Sequence, residues 1–543
     1  MSEEVYREGL IEATKLTNNH LHAFIVYGSH VAGYARPESD YDFLAVVKDF
    51  KEKIRYNYLD LPSGLEASIL LVDKETFEKD MERAFLGEFV AGRLYGSYIP
   101  LLNKDYILEY EKILKMRTII EELIDLYSEF ESFLPNLMVP LEYFLYSKLK
   151  KRMAIYPPVK YSYTKTFFGP SGEANTEFSL RLFRVAAQEL SQKGILELVE
   201  DKVRIIDPQV TRARIEDFLH HLHQIYRGVK SYLVHAWAGK VGPRIVVNEF
   251  RSKISRAFRK YEVPEPLKKP YLLLKLSDAD VGFFYESDLE KTIEDTLGSE
   301  CEIVEKEKVS GFLSTLYRLR VEVKEEKGIY VYKNYSDVGR LKWFPVELWA
   351  LTAAEFSAAP KTRLSNEYLY LTKLRKLGFN VPKVLAVMWD EKSLLMEYVE
   401  GTTLSNLISN KVSDIDLEGV AARVGELLSL LHSHQICLGD AKAQNILVTD
   451  EGVIYFTDLE QANQQGNYAW DISLFLFYSA RFPTEKGKIL RTAESFIKGY
   501  GRHGDPAKVA EASSAKYVRI FAPMVLPDTL KSIIDLCRED RTK

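Results

Sequence analysis

Apolar residues recur at helical spacing along EEVYREGLIEATKLTNN, residues 3–19, and the segment closes on the Asn-Asn of a turn. LHAFIVYG at 21–28 reads as a buried strand that breaks at its glycine, and a short helix is expected from Ser29. DYDFLAVV at 40–47 reads as a second strand, whose period of two puts Asp40 and Asp42 on one face. GLEASILLV follows the turn LDLPSG as a third strand, with Glu66 near its start. These elements make a small α/β unit ending near residue 108.

Residues 109–275 read mainly as helix. Within them, the stretch from Glu173 is an amphipathic helix closed by Gly194, and two β-rich runs then flank Glu200, Asp201 and Lys202. A helix followed by a hairpin is the winged-helix signature, used both for nucleic-acid binding and as a structural adaptor. From about residue 300 the pattern changes again. KVSGFLSTLYRLRVEV and KGIYVYKNYSD read as strands, NEYLYLTKLRKLG as a helix stopped at Gly378, and SLLMEYVEGTTL as a strand running into a linker. No repeat of 20–50 residues and no low-complexity tract is visible.

At 543 residues the chain exceeds a single hydrophobic core and implies several domains. The hydrophobic share of 46% and charged share of 28% are those of an ordinary globular protein. Cys301, Cys437 and Cys537 lie far apart, which points to a reducing compartment. The polar N-terminus lacks signal-peptide features and no apolar run approaches a membrane span, so a cytoplasmic protein with no membrane partner is expected. The net charge of −5 is unevenly spread: residues 141–275 hold 25 Lys and Arg against 13 Asp and Glu. Such a basic middle suits RNA, tRNA or another anionic partner; it equally suits a charged surface facing acidic neighbours in the same chain.

GSHVAGYARPESDYD, residues 28–42, concentrates the first candidate chemistry. Two divalent ions that activate an attacking oxygen and neutralise a triphosphate need hard carboxylate ligands, and Asp40, Asp42 and Glu66 supply them. Gly28 would let the backbone approach phosphate, with Ser29 at a helix start. Gly28, Ser29, Gly33, Ser39, Asp40 and Asp42 together resemble the GSxxxGxxxxxSDxD form of the minimal nucleotidyltransferases of the DNA polymerase beta superfamily. The resemblance covers about 100 residues. It implies a small mixed-sheet domain using Mg²⁺ or Mn²⁺ to move NMP from an NTP, with Glu66 as third metal ligand.

ICLGDAKAQNILV and IYFTDLEQA carry the second. Asp440 would orient an acceptor hydroxyl, Asn445 and Asp458 would hold Mg²⁺, and Lys333 would reach the phosphates with Glu367 as its partner. This set resembles the atypical kinase-like fold of RIO kinases, the small kinase of the KEOPS tRNA-modification complex and aminoglycoside-type phosphotransferases, over roughly residues 300–540. The resemblance makes MEYVEG, with Glu397 and Val399, the adenine-reading hinge. It makes SGFLST, with Gly311 and Ser314, a phosphate-covering loop, and Lys442 a γ-phosphate lysine. Leu438 stands where histidine is usual, the metal motif is DLE in place of DFG, and only eleven residues separate Asp458 from Trp470.

The chain is therefore expected to be a multidomain α/β and α+β protein. Its parts would be a nucleotidyltransferase domain at 1–108, a basic helical and winged-helix region at 109–275, and a kinase-like N-lobe at 276–398 with its C-lobe at 399–543. A bifunctional transferase using ATP or another NTP, acting on a protein, RNA or small-molecule hydroxyl, follows. The alternative is a nucleic-acid-binding or toxin-antitoxin-like regulator whose kinase-like domain only binds nucleotide.

Overall fold

The computed structural model describes residues 2–206, 262–310, 314–323, 326–335, 359–409, 415–464 and 466–539. The chain divides into two compact units, Met1–Ser277 and Asp278–Lys543.

The first unit opens with α1 (Ser2–Leu16) and a mixed sheet of order β3-β4-β2-β1-β5. Its strands are β1 (Leu21–Tyr27), β2 (Tyr41–Val47), β3 (Ile54–Asp60), β4 (Glu66–Asp73) and β5 (Ile99–Leu102). β2 and β4 pair in parallel and the other neighbours are antiparallel. Continuous aliphatic runs in β1, β2 and β4 are what a sheet covered on both faces requires. Phe24, Val26, Phe43, Ala45, Ile69 and Leu71 pack with Val5 and Ala13 of α1, while Ile25, Leu44 and Leu70, of opposite parity, are fully buried too.

Two local expectations are corrected. Residues 28–33 form consecutive turns and no helix, the Ala32 N–H bonding to the Gly28 carbonyl and the Tyr34 N–H to that of Ser29. Gly28 and Gly33 both have left-handed φ, +87° and +77°, and such residues break a right-handed helix before it can propagate. β3 is a further strand that the hydrophobic pattern does not announce, because its alternating Ile-Arg-Tyr-Asn-Tyr is that of an edge with one wet face.

After α2 (Lys74–Arg83) and β5 come α3 (Lys104–Phe130), β6 (Leu137–Pro140), α4 (Leu141–Ile155), α5 (Val159–Phe168), α6 (Gly172–Gln192), β7 (Glu197–Val199) and β8 (Lys202–Arg204). α7 (Glu265–Lys268) and β9 (Lys275–Leu276) complete the unit, and a small sheet runs β7-β8-β6-β9. Glu200, at φ +54°, turns the β7–β8 hairpin. The helical part is tied to the rest of its unit by buried charge. Glu88 meets Arg117 and Lys148 at 2.6 Å and Arg152 at 2.9 Å, and Asp80 accepts the backbone N–H groups of Leu86, Glu88, Val90 and Ala91.

The second unit has a six-stranded sheet of order β10-β14-β15-β13-β12-β11. It comprises β10 (Gly282–Phe284), α8 (Leu289–Leu297), β11 (Glu302–Ser310), β12 (Ser314–Val323), β13 (Glu326–Tyr335), α9 (Pro360–Lys376), β14 (Val384–Met388) and β15 (Ser393–Glu397). Leu319, Val321, Tyr332, Ala386, Met388 and Leu395 form its core with Ile293 of α8. Then come β16 (Thr402–Thr403), α10 (Leu404–Ser409), α11 (Leu417–Ser433), β17 (Ile436–Cys437), β18 (Ile446–Val448), β19 (Ile454–Phe456) and β20 (Asn463–Gln464). The helices α12 (Tyr468–Ser473), α13 (Lys486–Tyr500), α14 (Pro506–Ala512), α15 (Ala515–Phe521) and α16 (Pro527–Glu539) follow. A sheet lobe thus precedes a helical lobe, with β16–β20 as two short sheets, β16-β18-β19 and β17-β20, carrying loops. Among the described residues no helix is long and apolar enough to cross a membrane.

Candidate functional site

In the second unit the strand register delivers Lys333 to the interior. It lies in mid-β13, opposite Leu316 of β12 and Leu394 of β15, and is 2% exposed. A buried ammonium requires carboxylates. Lys333 Nζ pairs with Glu367 of α9, lies 2.6 Å from Asp458 Oδ1 and 3.6 Å from Glu460 Oε2, and Tyr335 donates to Glu367 at 2.6 Å. Burial alone would depress the Lys333 value; Asp458, Glu367 and Glu460 outweigh it and raise the value above that of a free lysine. Asp458 is displaced the other way. Burial would raise its carboxyl, and Lys333 more than reverses this, leaving it ionised. Burial also lifts Glu460, to about 7, against the pull of Lys333.

The loop after β17 holds the second half of the site. Asp440 Oδ2 accepts from Lys442 Nζ at 2.7 Å and from Asn445 Nδ2 at 3.0 Å. Burial raises the Asp440 carboxyl, with Lys442 opposing. Gly439 precedes it at φ +72°, and a Cβ there would stand 2.3 Å from the Gln461 carbonyl. Asp471 of α12 accepts the N–H groups of Leu438 and Gly439 at 2.7 and 2.9 Å, and Trp470 Nε1 donates to the Gly439 carbonyl. His432 is held between Tyr500 and Asp471 as a packing residue. The Asn445 carbonyl accepts from the Thr457 N–H and hydroxyl, which ties the Asp440 loop to the Asp458 loop. Asp458 itself sits at φ +58°, a strained conformation for a non-glycine that the surrounding bonds enforce.

The other expected nucleotide contacts fare unevenly. The Glu397 carboxylate accepts the Lys383 N–H at 2.8 Å and its own N–H bonds to the Lys383 carbonyl, so its side chain is taken up within the fold. Val399 lies in the connection after β15 and Ser314 opens β12, opposite Tyr335. Gly311 lies outside the described residues. Glu460, Arg363 and Tyr335 are additions. The DLE departure from DFG was the signal for Glu460, while Arg363 is betrayed by nothing but its place one turn before Glu367.

In the first unit Asp42 and Ser68 are direct cross-strand partners, and Ser68 Oγ donates to Asp42 Oδ1 at 3.0 Å. Asp40 and Glu66 each precede the first pair of that parallel ladder, Tyr41 with Ala67, so the strand period puts all three carboxylates on one face. A Cβ on Gly28 would stand 2.2 Å from Asp42 Oδ2, so glycine is required there for packing as well as for φ. Among the described residues, the groups whose ligand atoms converge within 4.8 Å are Glu367–Asp458–Glu460 and His432–Cys437–Asp471; Asp40, Asp42 and Glu66 stand further apart. Ser39 Oγ accepts the Arg36 N–H, and Gly33 lies against Ser171, where a Cβ would meet the hydroxyl at 2.5 Å. Ser29 opens a turn in place of a helix, in which the N–H groups of Ala32 and Tyr34 bond to the carbonyls of Gly28 and Ser29.

The middle region spends most of its described cations locally. Lys148 and Arg152 are buried on Glu88, Lys151 pairs with Glu122 and Asp125, and Arg184 with Glu177 and Asp201. The α6–β8 segment, where a winged helix would contact nucleic acid, holds five basic and six acidic residues.

Residues 353–474 match the family model for the RIO domain. The chain is 30% identical over 141 residues to "KEOPS complex subunit Bud32" of Pyrococcus abyssi, covering 26% of this chain and 63% of that protein. It is 23% identical over 146 residues to "Probable bifunctional tRNA threonylcarbamoyladenosine biosynthesis protein" of Methanocaldococcus jannaschii, covering 26% and 25%. It is 26% identical over 140 residues to "3-deoxy-D-manno-octulosonic acid kinase" of Photobacterium profundum, covering 24% and 58%. The chain thus spans less than two thirds of these relatives, and all three matches cover about a quarter of it. The likeness to RIO and Bud32 proteins is one of an atypical-kinase-like region.

Proposed function

We propose that residues 278–543 transfer the γ-phosphoryl group of ATP to a hydroxyl. The observation that carries this reading is the buried Lys333–Glu367 pair standing against Asp458, with Asp440, Lys442 and Asn445 in the loop bonded to the Asp458 loop. Asp458 and Asn445 offer the hard oxygens that Mg²⁺ takes, and their chemistry fits it. Bound there, the ion would neutralise charge on the phosphate oxygens. Lys333 holds the α and β phosphates. Asp440 accepts the hydroxyl proton as the acceptor oxygen bonds to phosphorus and the bond to ADP breaks, and Lys442 balances the charge beside it. The short run from Asp458 to Trp470 leaves no long peptide-docking segment, which favours RNA, a small alcohol or the chain itself as acceptor.

The test is γ-labelled ATP with Mg²⁺, alone and with total RNA or cell extract. Label should move in the wild type and fall by about 10²–10³ in Asp440→Asn. Tight ATP binding without any transfer would make the unit a nucleotide-binding regulator.

A second reading concerns the first unit. Asp40, Asp42 and Glu66 on one sheet face beside left-handed Gly28 favour metal-dependent NMP transfer, the carboxylates closing on the ions when they bind. α-Labelled NTPs should leave label on an acceptor, and Asp42→Asn should abolish it; equal labelling by the variant rejects the reading. The names of the KEOPS and tRNA-modification relatives make tRNA the first RNA to try, in a cytoplasmic setting with protein partners.

A further inference from the structure

The turn at 28–33 is held from two sides. On one, Gly28 lies against Asp42 with no room for a Cβ, and His30 Nε2 donates to the Ser39 carbonyl at 2.9 Å while its ring stacks on Tyr41. The turn therefore touches Asp42 directly, and Asp40 through the residues on either side of it. On the other side stands α6. Gly33 lies against Ser171, the residue before that helix, and Asn175 in its first turn donates from Nδ2 to the Ala32 carbonyl at 2.9 Å.

Asn175 is 5% exposed, and a polar side chain so deep is stable only when its amide is satisfied. Nδ2 also donates to the Thr166 carbonyl at 2.8 Å, near the C-terminal end of α5, where carbonyls lack helical partners. Oδ1 accepts from Ser97 Oγ at 2.7 Å. Flipping the amide would set its oxygen against two carbonyls, so these three partners define one orientation. A single amide thus joins the turn, α5, α6 and the segment before β5. We propose that Asn175 is a positioning residue of the first unit's candidate site: its amide fixes the Ala32–Gly33 peptide, and with it the turn that presents Gly28 and Ser29 to a triphosphate beside Asp40 and Asp42. The helical region is then part of the transferase, in place of a module appended to it. The proposal rests on the NMP-transfer reading above.

The experiment compares full-length wild type with Asn175→Ala, Ser97→Ala and Ser147→Ala. Ser97→Ala keeps both Nδ2 bonds and loses the one that orients them; Ser147→Ala removes a buried bond to Glu122 elsewhere in the same helical region. Hydrogen exchange of the amides of residues 28–34 reads the turn itself, and transfer from α-labelled ATP, CTP, GTP and UTP with Mg²⁺ reads the reaction. Asn175→Ala should exchange about tenfold faster over 28–34 and raise the KM for the NTP about tenfold, with the acceptor KM unchanged. Ser97→Ala should shift both in the same direction by about threefold. Ser147→Ala should shift neither, and thermal melting puts all the variants on one stability scale. Unchanged exchange over 28–34 in Asn175→Ala, an unchanged KM for the NTP, or equal shifts in Ser147→Ala overturn the proposal. Where Asn175→Ala fails to fold, Ser97→Ala decides by the same readouts. If exchange rises as expected while wild type transfers no NMP, the hold on the turn stands and the NMP-transfer reading falls.

Discussion

Single residues carry the largest electrostatic stakes where burial removes water. Glu88, buried against Arg117, Lys148 and Arg152, has its carboxyl held far below the usual range, burial being outweighed by Lys148 first and the arginines after it. Glu88→Gln would leave three cations sharing one fewer anion, and an expected loss of about 3–5 kcal/mol follows, read from denaturant unfolding. Lys115 is the opposite case. Fully buried among Leu94, Ser179 and Glu111, it is pushed down to about 8, desolvation outweighing Glu111. Between that value and the ordinary lysine value the unfolded chain holds a proton that the folded chain has released. Stability therefore rises with pH from about 8, by about 1.4 kcal/mol per pH unit at most. The gain ends near 9, where the unfolded Cys437 and Cys537 ionise while their buried thiols resist, and the tyrosines, with Tyr95 and Tyr98 likewise held up by burial, add to the reversal near 10. Melting curves at pH 7.5, 8.0 and 8.5 should show the rise in wild type and a flatter profile in Lys115→Met. Neither network is legible in the sequence, because a charged residue in an amphipathic helix looks solvated until its neighbours are known. Lys333, Glu367, Asp440, Asn445 and Asp458 could be assembled as candidates because the kinase-like resemblance specifies residue types and spacing, and the fold sets Lys333 against Glu367 and Asp458 and Asp440 against Asn445; Glu460 showed only as the DLE departure, and Arg363 only by its place one turn before Glu367.

Elements were readable where one period dominated and unreadable where backbone geometry decided. β1, β2 and β4 announced themselves by aliphatic runs. The turn at 28–33 did not, because a helix start and a double-glycine turn look alike until φ is known. Close helix packing was equally silent. In α11 a Cβ on Gly425 would stand 2.2 Å from the Phe496 carbonyl of α13, and one on Gly499 of α13 would stand 1.8 Å from the Ala422 carbonyl of α11. The two glycines let the helices meet backbone to backbone, beneath the loop that Asp471 and His432 brace. Ala is the better helix former, so propensity alone predicts that Gly499→Ala stabilises. The close approach predicts the reverse, a loss of about 1–3 kcal/mol as the helices part. A raised midpoint in thermal melting would show that the helices can slide apart without cost.

At the scale of the whole chain, charge is the feature that composition showed and the fold redistributes. The excess of base over acid at 141–275 suited either an anionic partner such as RNA or a charged surface facing acidic neighbours in the same chain. The described part of that region keeps fourteen Lys and Arg against nine Asp and Glu, several of them held in ion pairs, and α6 to β8 is slightly acidic. By sequence, the excess concentrates in residues 207–261, with eleven Lys and Arg against four Asp and Glu. Counterion release then gives a quantitative expectation for the RNA-binding reading. Replacing Arg251, Arg256, Arg259 and Lys260 by Gln should shallow the slope of log affinity against log salt for tRNA by about 3, at roughly 0.7–0.9 for each phosphate that is no longer neutralised. Replacing Arg181 and Lys202 should leave the slope within about one unit, because the acids around them already repel phosphate. The opposite ranking would place the RNA contact on the α6–β8 segment, and a tRNA affinity too weak to measure at low salt would remove the RNA-binding reading.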